Sequence, residues 1–286
     1  MLDEHATEQR FEQAECVKTT SSILNDKNIQ DILEGFQGHQ LADLDKANLM
    51  DRVDVKFMLP TAFLPSLLLQ LQDHYSILDI NGNRVSQYYN QYFDTEKMGF
   101  YHDHHNGKLN RFKVRQRTYL DTATQFLEVK FKNNQGRTIK SRINCTNSAA
   151  NDSANNSFVN ELMDKPFDQL MMSQQGGYER IALANEASAE RLTLDLNLWY
   201  QLDNGGKKST LPGFFIAELK QQRRSKLSPF FQLMTKNNIF PASFSKYCIG
   251  CALLYKGTIK TNRFKATLGK LERFSSLENH TISRSN

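Results

Sequence analysis

Apolar and charged positions alternate along much of the chain. Between Arg111 and Arg117 the residues Arg111, Lys113, Arg115 and Arg117 share one parity, and Phe112 and Val114 take the other. Glu128, Lys130 and Lys132 alternate with Leu127, Val129 and Phe131, and Lys140 and Arg142 with Ile139 and Ile143. Successive strand side chains point to opposite faces, so each segment puts its charges on one face and its apolar groups on the other. Three strands are predicted here, over Asn110–Tyr119, Thr124–Asn133 and Arg137–Asn144. The turn Asn133-Asn-Gln-Gly136 joins the last two as a hairpin. The same pattern recurs in strands predicted over Arg52–Leu59, Glu190–Tyr200 and Gly213–Gln221, with two more over Val85–Phe93 and Tyr178–Leu183.

Helical spacing is scarcer. Phe63, Leu64, Leu67, Leu68 and Leu71 make Thr61–Tyr75 an amphipathic helix that would cover the outside of the sheet. Phe158–Met172 reads as a helix broken at Pro166, and Asn144–Ser157 as an exposed loop. Ser228-Pro229 supplies the cap and first turn of a helix through Lys236. A further helix is expected over Ser243–Tyr255, and a short one around Leu268–Phe274.

The charged face is nearly all basic, which on a flat open sheet would concentrate self-repulsion. Strands of this kind can instead close into an antiparallel barrel with a basic lumen. The outer apolar face would then be covered by helices. The expected fold is therefore mainly β (α+β): a closed antiparallel tunnel flanked by helices. Its organisation is a poorly ordered or loosely docked acidic segment over 1–45, a tunnel domain over 46–256, and a polar tail over 257–286. The net charge of +5 understates the basicity of the body, because the first fifty residues lean acidic. A basic lumen calls for an anionic partner. Nucleic acid fits less well, since the cations alternate within strands among acids rather than lying on an open face with stacking aromatics.

No apolar run is long enough to span a bilayer, and residues 1–20 lack a signal-peptide core, so a soluble cytoplasmic protein is expected. The four cysteines form no disulfide framework; Cys248 and Cys251 read as buried, reduced helix residues. His102-Asp-His-His105 lacks a matching ligand pair and reads as surface histidines near a helix end.

Taken in order, several short motifs form a set: Lys56-Phe57, Tyr92-Phe-Asp-Thr95, Arg115-Gln-Arg-Thr-Tyr119, Leu127-Glu-Val-Lys130, Gly136–Arg142, Tyr178-Glu-Arg180, Arg191–Asp195, Ala217-Glu-Leu-Lys220 and Ser245-Lys-Tyr247. This set resembles the VTC domain, the polyphosphate polymerase domain of the triphosphate tunnel metalloenzymes, over roughly Arg52–Tyr255. The resemblance implies transfer of the ATP γ-phosphoryl group to a growing polyphosphate. It implies ATP or triphosphate and polyphosphate as ligands, and Mn²⁺ or Mg²⁺ as cofactor, with Glu218 as metal ligand. The matching phosphate-binding positions are Lys56, Arg115, Arg117, Lys130, Lys140, Arg142, Arg180, Arg191, Lys220 and Lys246. Of these, Lys56, Arg115, Arg117, Lys130, Arg180, Arg191 and Lys246 are assigned to the reacting phosphates.

The chemistry agrees, because phosphoryl transfer needs positioning and charge neutralisation more than covalent help. Glu128 and Asp195 read as partners that orient the basic groups, and Tyr88, Tyr92 and Tyr119 as packing residues. The first strand carries only Asp54 where the wider superfamily often has several glutamates, which weighs against a two-metal triphosphatase or a cyclase. The membrane segments of the eukaryotic complex are lacking, so any translocation would fall to a separate membrane partner. Two alternatives stay open: a tunnel-fold triphosphatase or polyphosphatase, and a non-catalytic receptor for polyphosphate or inositol phosphates. Oligomeric state is not legible.

Overall fold

The computed structural model describes residues 23–43, 53–146, 153–163, 170–203 and 205–282. Among the described residues eleven strands form one sheet: β1 (Gly38–His39), β2 (Val53–Pro60), β3 (Ser76–Leu78), β4 (Ser86–Thr95), β5 (Arg111–Tyr119), β6 (Thr124–Lys132), β7 (Thr138–Asn144), β8 (Leu170–Asn185), β9 (Glu190–Gln201), β10 (Lys208–Thr210) and β11 (Phe214–Gln221). The helices are α1 (Lys27–Glu34), α2 (Leu64–Leu71), α3 (Gly99–His105), α4 (Ser153–Leu162), α5 (Pro229–Lys236), α6 (Lys246–Leu254) and α7 (Lys265–Ile282). The main path runs β2-β11-β9-β8-β4-β5-β6-β7, antiparallel throughout.

The expected antiparallel, helix-flanked α+β architecture is present, but the sheet is not closed by hydrogen bonds. Among the described residues no ladder joins β7 to β2. The free edge of β2 is partly covered instead, with the Lys56 carbonyl accepting from the Ala242 amide at 2.7 Å. The sheet nevertheless curls. Glu218 of β11 acts electrostatically on Lys130 of β6, and Lys56 of β2 on Lys113 of β5. Each pair is five strands apart, about 24 Å on a flat sheet at the usual strand spacing. That is beyond the reach of a screened charge, so the two flanks must face each other across a concave interior.

The period-two pattern explains the layers. On β2, Phe57 and Leu59 point outward, with Phe215, Ala217 and Leu219 of β11 and Leu192 and Leu194 of β9. There they meet Leu64, Leu67, Leu68 and Leu71 of α2, Phe230 of α5, and Ile29, Ile32 and Leu33 of α1. The helix of the acidic N-terminal segment thus belongs to the main core; residues 1–22 and 44–52, Arg52 included, lie outside the described residues. A second core fills one end of the concave face, where Met58, Phe214, Ile216, Tyr178 and Tyr200 pack on α6 and α7. A third seats Phe93, Val114, Leu127 and Val129 against Val159 of α4. On β9, Leu196 faces the first core and Leu198 the second. The change of layer coincides with a register shift opposite Gly177 to Glu179 and a positive φ of 51° at Asn197.

Several sequence expectations need correction. The helix placed over Phe158–Met172 lies earlier, at Ser153–Leu162, and Leu170–Met172 opens β8. Pro166 and residues 147–152 of the loop over 144–157 fall outside the described residues. β8 is far longer than Tyr178–Leu183, and the short helix near Leu268 extends over all of α7. The Asn133–Gly136 turn is as read, with Gly136 at φ 78°, a conformation glycine adopts without strain. No described helix is long and apolar enough to cross a membrane.

Candidate polyanion site on the concave face

The charged parity of each strand faces the interior, and three carboxylates organise it. Each holds two cations. Glu218 of β11 bonds Lys56, its register partner on β2, and Lys220 at 3.3 Å. Glu128 of β6 bonds Arg115 of β5 at 2.5 Å and Lys140 of β7 at 2.5 Å. Asp195 of β9 takes a two-pronged bond from Arg180 of β8, at 2.5 and 2.8 Å, and a second from Lys246 at the start of α6. Each group of three therefore keeps a net positive charge.

Two more cations lie between these groups without a carboxylate bonded to them. Arg117 of β5 is buried and donates to the Asn90 carbonyl oxygen at 3.0 Å and the Tyr178 hydroxyl at 2.8 Å, both neutral acceptors. The Lys130 ammonium, on β6, makes no hydrogen bond or ion pair among the described residues. Its register partners are Lys113 and Lys140, and like charges directly opposite are unfavourable. The Arg115 charge, burial and Arg117 hold its ammonium well below the ordinary lysine range.

Burial opposes ionisation of Glu128, Asp195 and Glu218, yet their bonded cations win and hold all three below the usual carboxylate range. Conversely, burial lowers Lys140, Lys220 and Lys246 despite their carboxylate partners. The interior is thus short of negative charge, and an incoming anion would relieve it.

All the cations read from the sequence as phosphate-binding share this face, but not equally. Arg142 is exposed and lies over the Phe126 ring at 4.6 Å. Arg191 stands opposite Lys220, two pairs along the ladder from Glu218. The sequence reading omitted Lys113, although it has the same parity; its ammonium donates to the Ser245 hydroxyl at 2.9 Å, at the cap of α6. Ser245 and Lys246 thus reach β5 and β9 from consecutive positions, which ties α6 across the interior. Tyr88 and Tyr178 are more than packing residues. Their stacked rings lie beneath Arg117, Arg180 and Lys246. Single-strand periodicity cannot show that, because the contacts join β4, β5, β8 and α6.

The Tyr92-Phe-Asp-Thr95 motif is structural. Buried Asp94 accepts from the amides of Phe100 and Tyr101 at 2.9 Å and from the Tyr247 hydroxyl, fixing α3 and α6. His105 contacts Asn262 at 2.8 Å, while burial and the charges of Lys113 and Arg111 push His104 down to about 3. Cys248 and Cys251 are buried and free.

No three His, Cys, Asp or Glu side chains gather as a metal cage among the described residues. Glu218 offers one interior carboxylate, held ionised. That donor set does not fit a metal enclosed by protein. It does fit a hard cation that arrives with phosphate oxygens and takes one protein carboxylate.

Loose structural likenesses were found. A protein of Bacillus halodurans provisionally named an adenylate cyclase shares 14% identity at a TM-score of 0.45, covering 68% of this chain and 94% of its own. A protein of Vibrio parahaemolyticus with the same provisional name shares 12% at 0.42, covering 70% and 99%. A provisionally named adenylyl cyclase from Hippeastrum, described as having a dominant triphosphatase activity, shares 15% at 0.39, covering 71% and 96%. These likenesses are too distant to bear on the chemistry of this chain. No curated protein matches the chain. The VTC domain model matches residues 51–255, most of the sequence and every strand from β2 to β11, and the chain belongs to the VTC domain family.

Proposed function

We propose that this chain is a polyphosphate polymerase that moves the γ-phosphoryl group of ATP onto the end of a growing polyphosphate, with release of ADP. The observation that carries this reading is the divided use of the three carboxylates, which leaves Arg117 and Lys130 free of any carboxylate bond inside a basic concavity. A triphosphate bearing several negative charges supplies the missing counter-charge.

In the reaction a terminal oxygen of the acceptor attacks the γ-phosphorus in line, and the bond to the β–γ bridging oxygen breaks. The acceptor oxygen is already anionic, so no general base is required. The interior must align two mutually repelling anions and spread the charge of the transition state. Arg115, Arg117 and Arg180 present planar forks suited to phosphate oxygens, while Lys130, Lys56 and Lys246 act as point charges. Glu128 and Asp195 fix the orientation of the arginines without cancelling them. Glu218 would hold a divalent ion, which when bound supplies further neutralisation of the phosphate oxygens.

The test is incubation of the protein with ATP and Mn²⁺ or Mg²⁺, with products resolved on a polyphosphate-stained gel and ADP measured in parallel. Long chains formed in step with ADP support the reading. Orthophosphate without chains would replace it with a triphosphatase, and tripolyphosphate binding without turnover with a receptor.

A further inference from the structure

An aromatic pair underlies the most cationic part of the interior. Tyr88 of β4 and Tyr178 of β8 are register partners whose rings stack at 5.0 Å and 7°. Both are buried. The guanidinium of Arg180 lies 4.9 Å from the Tyr88 ring centre and 5.2 Å from that of Tyr178. Arg117 lies 5.2 Å from Tyr88, and the Lys246 ammonium 4.4 Å from Tyr178. Three cations of like sign thus share one stacked pair.

Asp195 already bonds Arg180 and Lys246, leaving one net positive charge between them, and a further carboxylate here would remove more of the charge that a phosphate ligand needs. An aromatic face attracts a cation through its quadrupole and carries no net charge. Burial pushes the Tyr88 hydroxyl up to about 12, so the ring stays neutral. Arg117 shows the consequence: it is buried and fixed by a ring, a phenol and an amide, with its charge intact.

We infer that the stacked pair Tyr88 and Tyr178 is a positioning platform that sets Arg117, Arg180 and Lys246 for an oligophosphate ligand without adding negative charge beyond the one carboxylate, Asp195, that Arg180 and Lys246 already share. This rests on the polyphosphate reading above for its ligand. The pair touches the cations rather than the reacting atoms, so its members are positioning residues.

The experiment separates ring electronics from ring shape. Tyr88 is replaced by phenylalanine carrying zero, one, two or three ring fluorines, which weaken the quadrupole at nearly constant shape. Binding of inorganic tripolyphosphate is measured calorimetrically, and chain synthesis from ATP in parallel. Tyr88→Phe should bind like the parent. Affinity should then fall stepwise with fluorination, about tenfold across the series, with KM rising more than kcat falls. A flat series among folded variants would overturn the platform, as would loss of affinity in Tyr88→Phe alone. A stepwise fall in binding without any polymer would leave the platform standing and remove the polymerase. Polymer formation with a flat series would do the reverse.

Discussion

Glu218 of β11 faces Lys56 of β2 directly across the ladder and bonds its ammonium, while its second oxygen meets Lys220 at 3.3 Å. One carboxylate is thus shared by two lysines at the edge of the curled sheet. Substitution Glu218→Gln removes the shared partner and the one carboxylate suited to a divalent ion there. Metal-dependent turnover should fall by at least a hundredfold. The Lys56 side chain is 30% exposed, so the stability cost should sit at the low end for a broken buried pair, about 3 kcal/mol. Thermal unfolding should show a lower midpoint that tripolyphosphate partly restores. Unchanged turnover would remove Glu218 from the site.

Arg115 and Arg117 lie two residues apart on β5 but differ in what their loss leaves behind. Arg115→Ala strands Glu128, which is 0% exposed, with Lys140 as its remaining bonded cation. Arg117→Ala strands only neutral acceptors. Both variants should lose tripolyphosphate affinity, about tenfold or more given the strength of charge-assisted bonds. The drop in stability should be clearly larger for Arg115→Ala. Equal drops in denaturant midpoint would contradict the different roles.

This contrast marks where sequence stopped being informative. The charged parity of β5, β6 and β7 was legible because a strand repeats every two residues whatever its surroundings. The outward face of β2 and β11, alternating with Lys56 and Glu218, followed from the same rule. Nothing local says that Glu128 bridges β5 and β7, or that Asp195 reaches across to Lys246 on α6. Those pairings need the order of strands and the curl of the sheet. Closure was over-read: alternation is the same in an open and a closed sheet, and the edge of β2 meets Ala242 instead of β7. The helix over Phe158–Met172 failed for a related reason. Leu170 packs with Phe93 and Val129, so sheet pairing overrode a weak helical spacing.

The acidic N-terminal segment contributes to stability through α1. Ile29, Ile32 and Leu33 are buried in the core formed by α2 and the outer sheet face. Leu33→Ala should cost about 2–5 kcal/mol, the usual range for truncating a buried leucine. Denaturant unfolding should show this as a lower midpoint in a single transition. A cost below about 0.5 kcal/mol, typical of surface positions, would detach α1 from the core.

The interior carboxylates set a pH dependence. Glu128, Asp195 and Glu218 are held below their ordinary values of 4.5, 3.8 and 4.5 in the folded protein. In the unfolded chain they bind protons first as pH falls, so stability decreases with acidification. Their contribution is complete above about pH 5 and is lost progressively below it as pH moves from these ordinary values toward the folded ones. Thermal midpoints measured from pH 6 downward should fall steeply below pH 5. Asp195→Asn should start lower and fall less steeply, having one fewer titrating group.

Lys130 links proton uptake to ligand binding. Its ammonium is held well below the ordinary value of 10.5, by the Arg115 charge, burial and Arg117. An oligophosphate at this position favours the charged form, so the lysine pKa rises on binding and a proton is taken up. The effect appears where pH lies above the free-state value and below the bound-state value. Calorimetric titrations with tripolyphosphate, in buffers of different ionisation enthalpy, read the protons directly. Uptake should pass through a maximum between the free-state and bound-state values, and Lys130→Ala should remove the largest share of it. Lys140, Lys220 and Lys246 are also lowered, so a smaller uptake should persist. The same variant should bind tripolyphosphate about tenfold more weakly, because the ammonium that would face the bound phosphates is removed. An unchanged uptake in Lys130→Ala would mean that the ligand lies away from β6. The uncancelled charge there would then no longer support the polymerase reading.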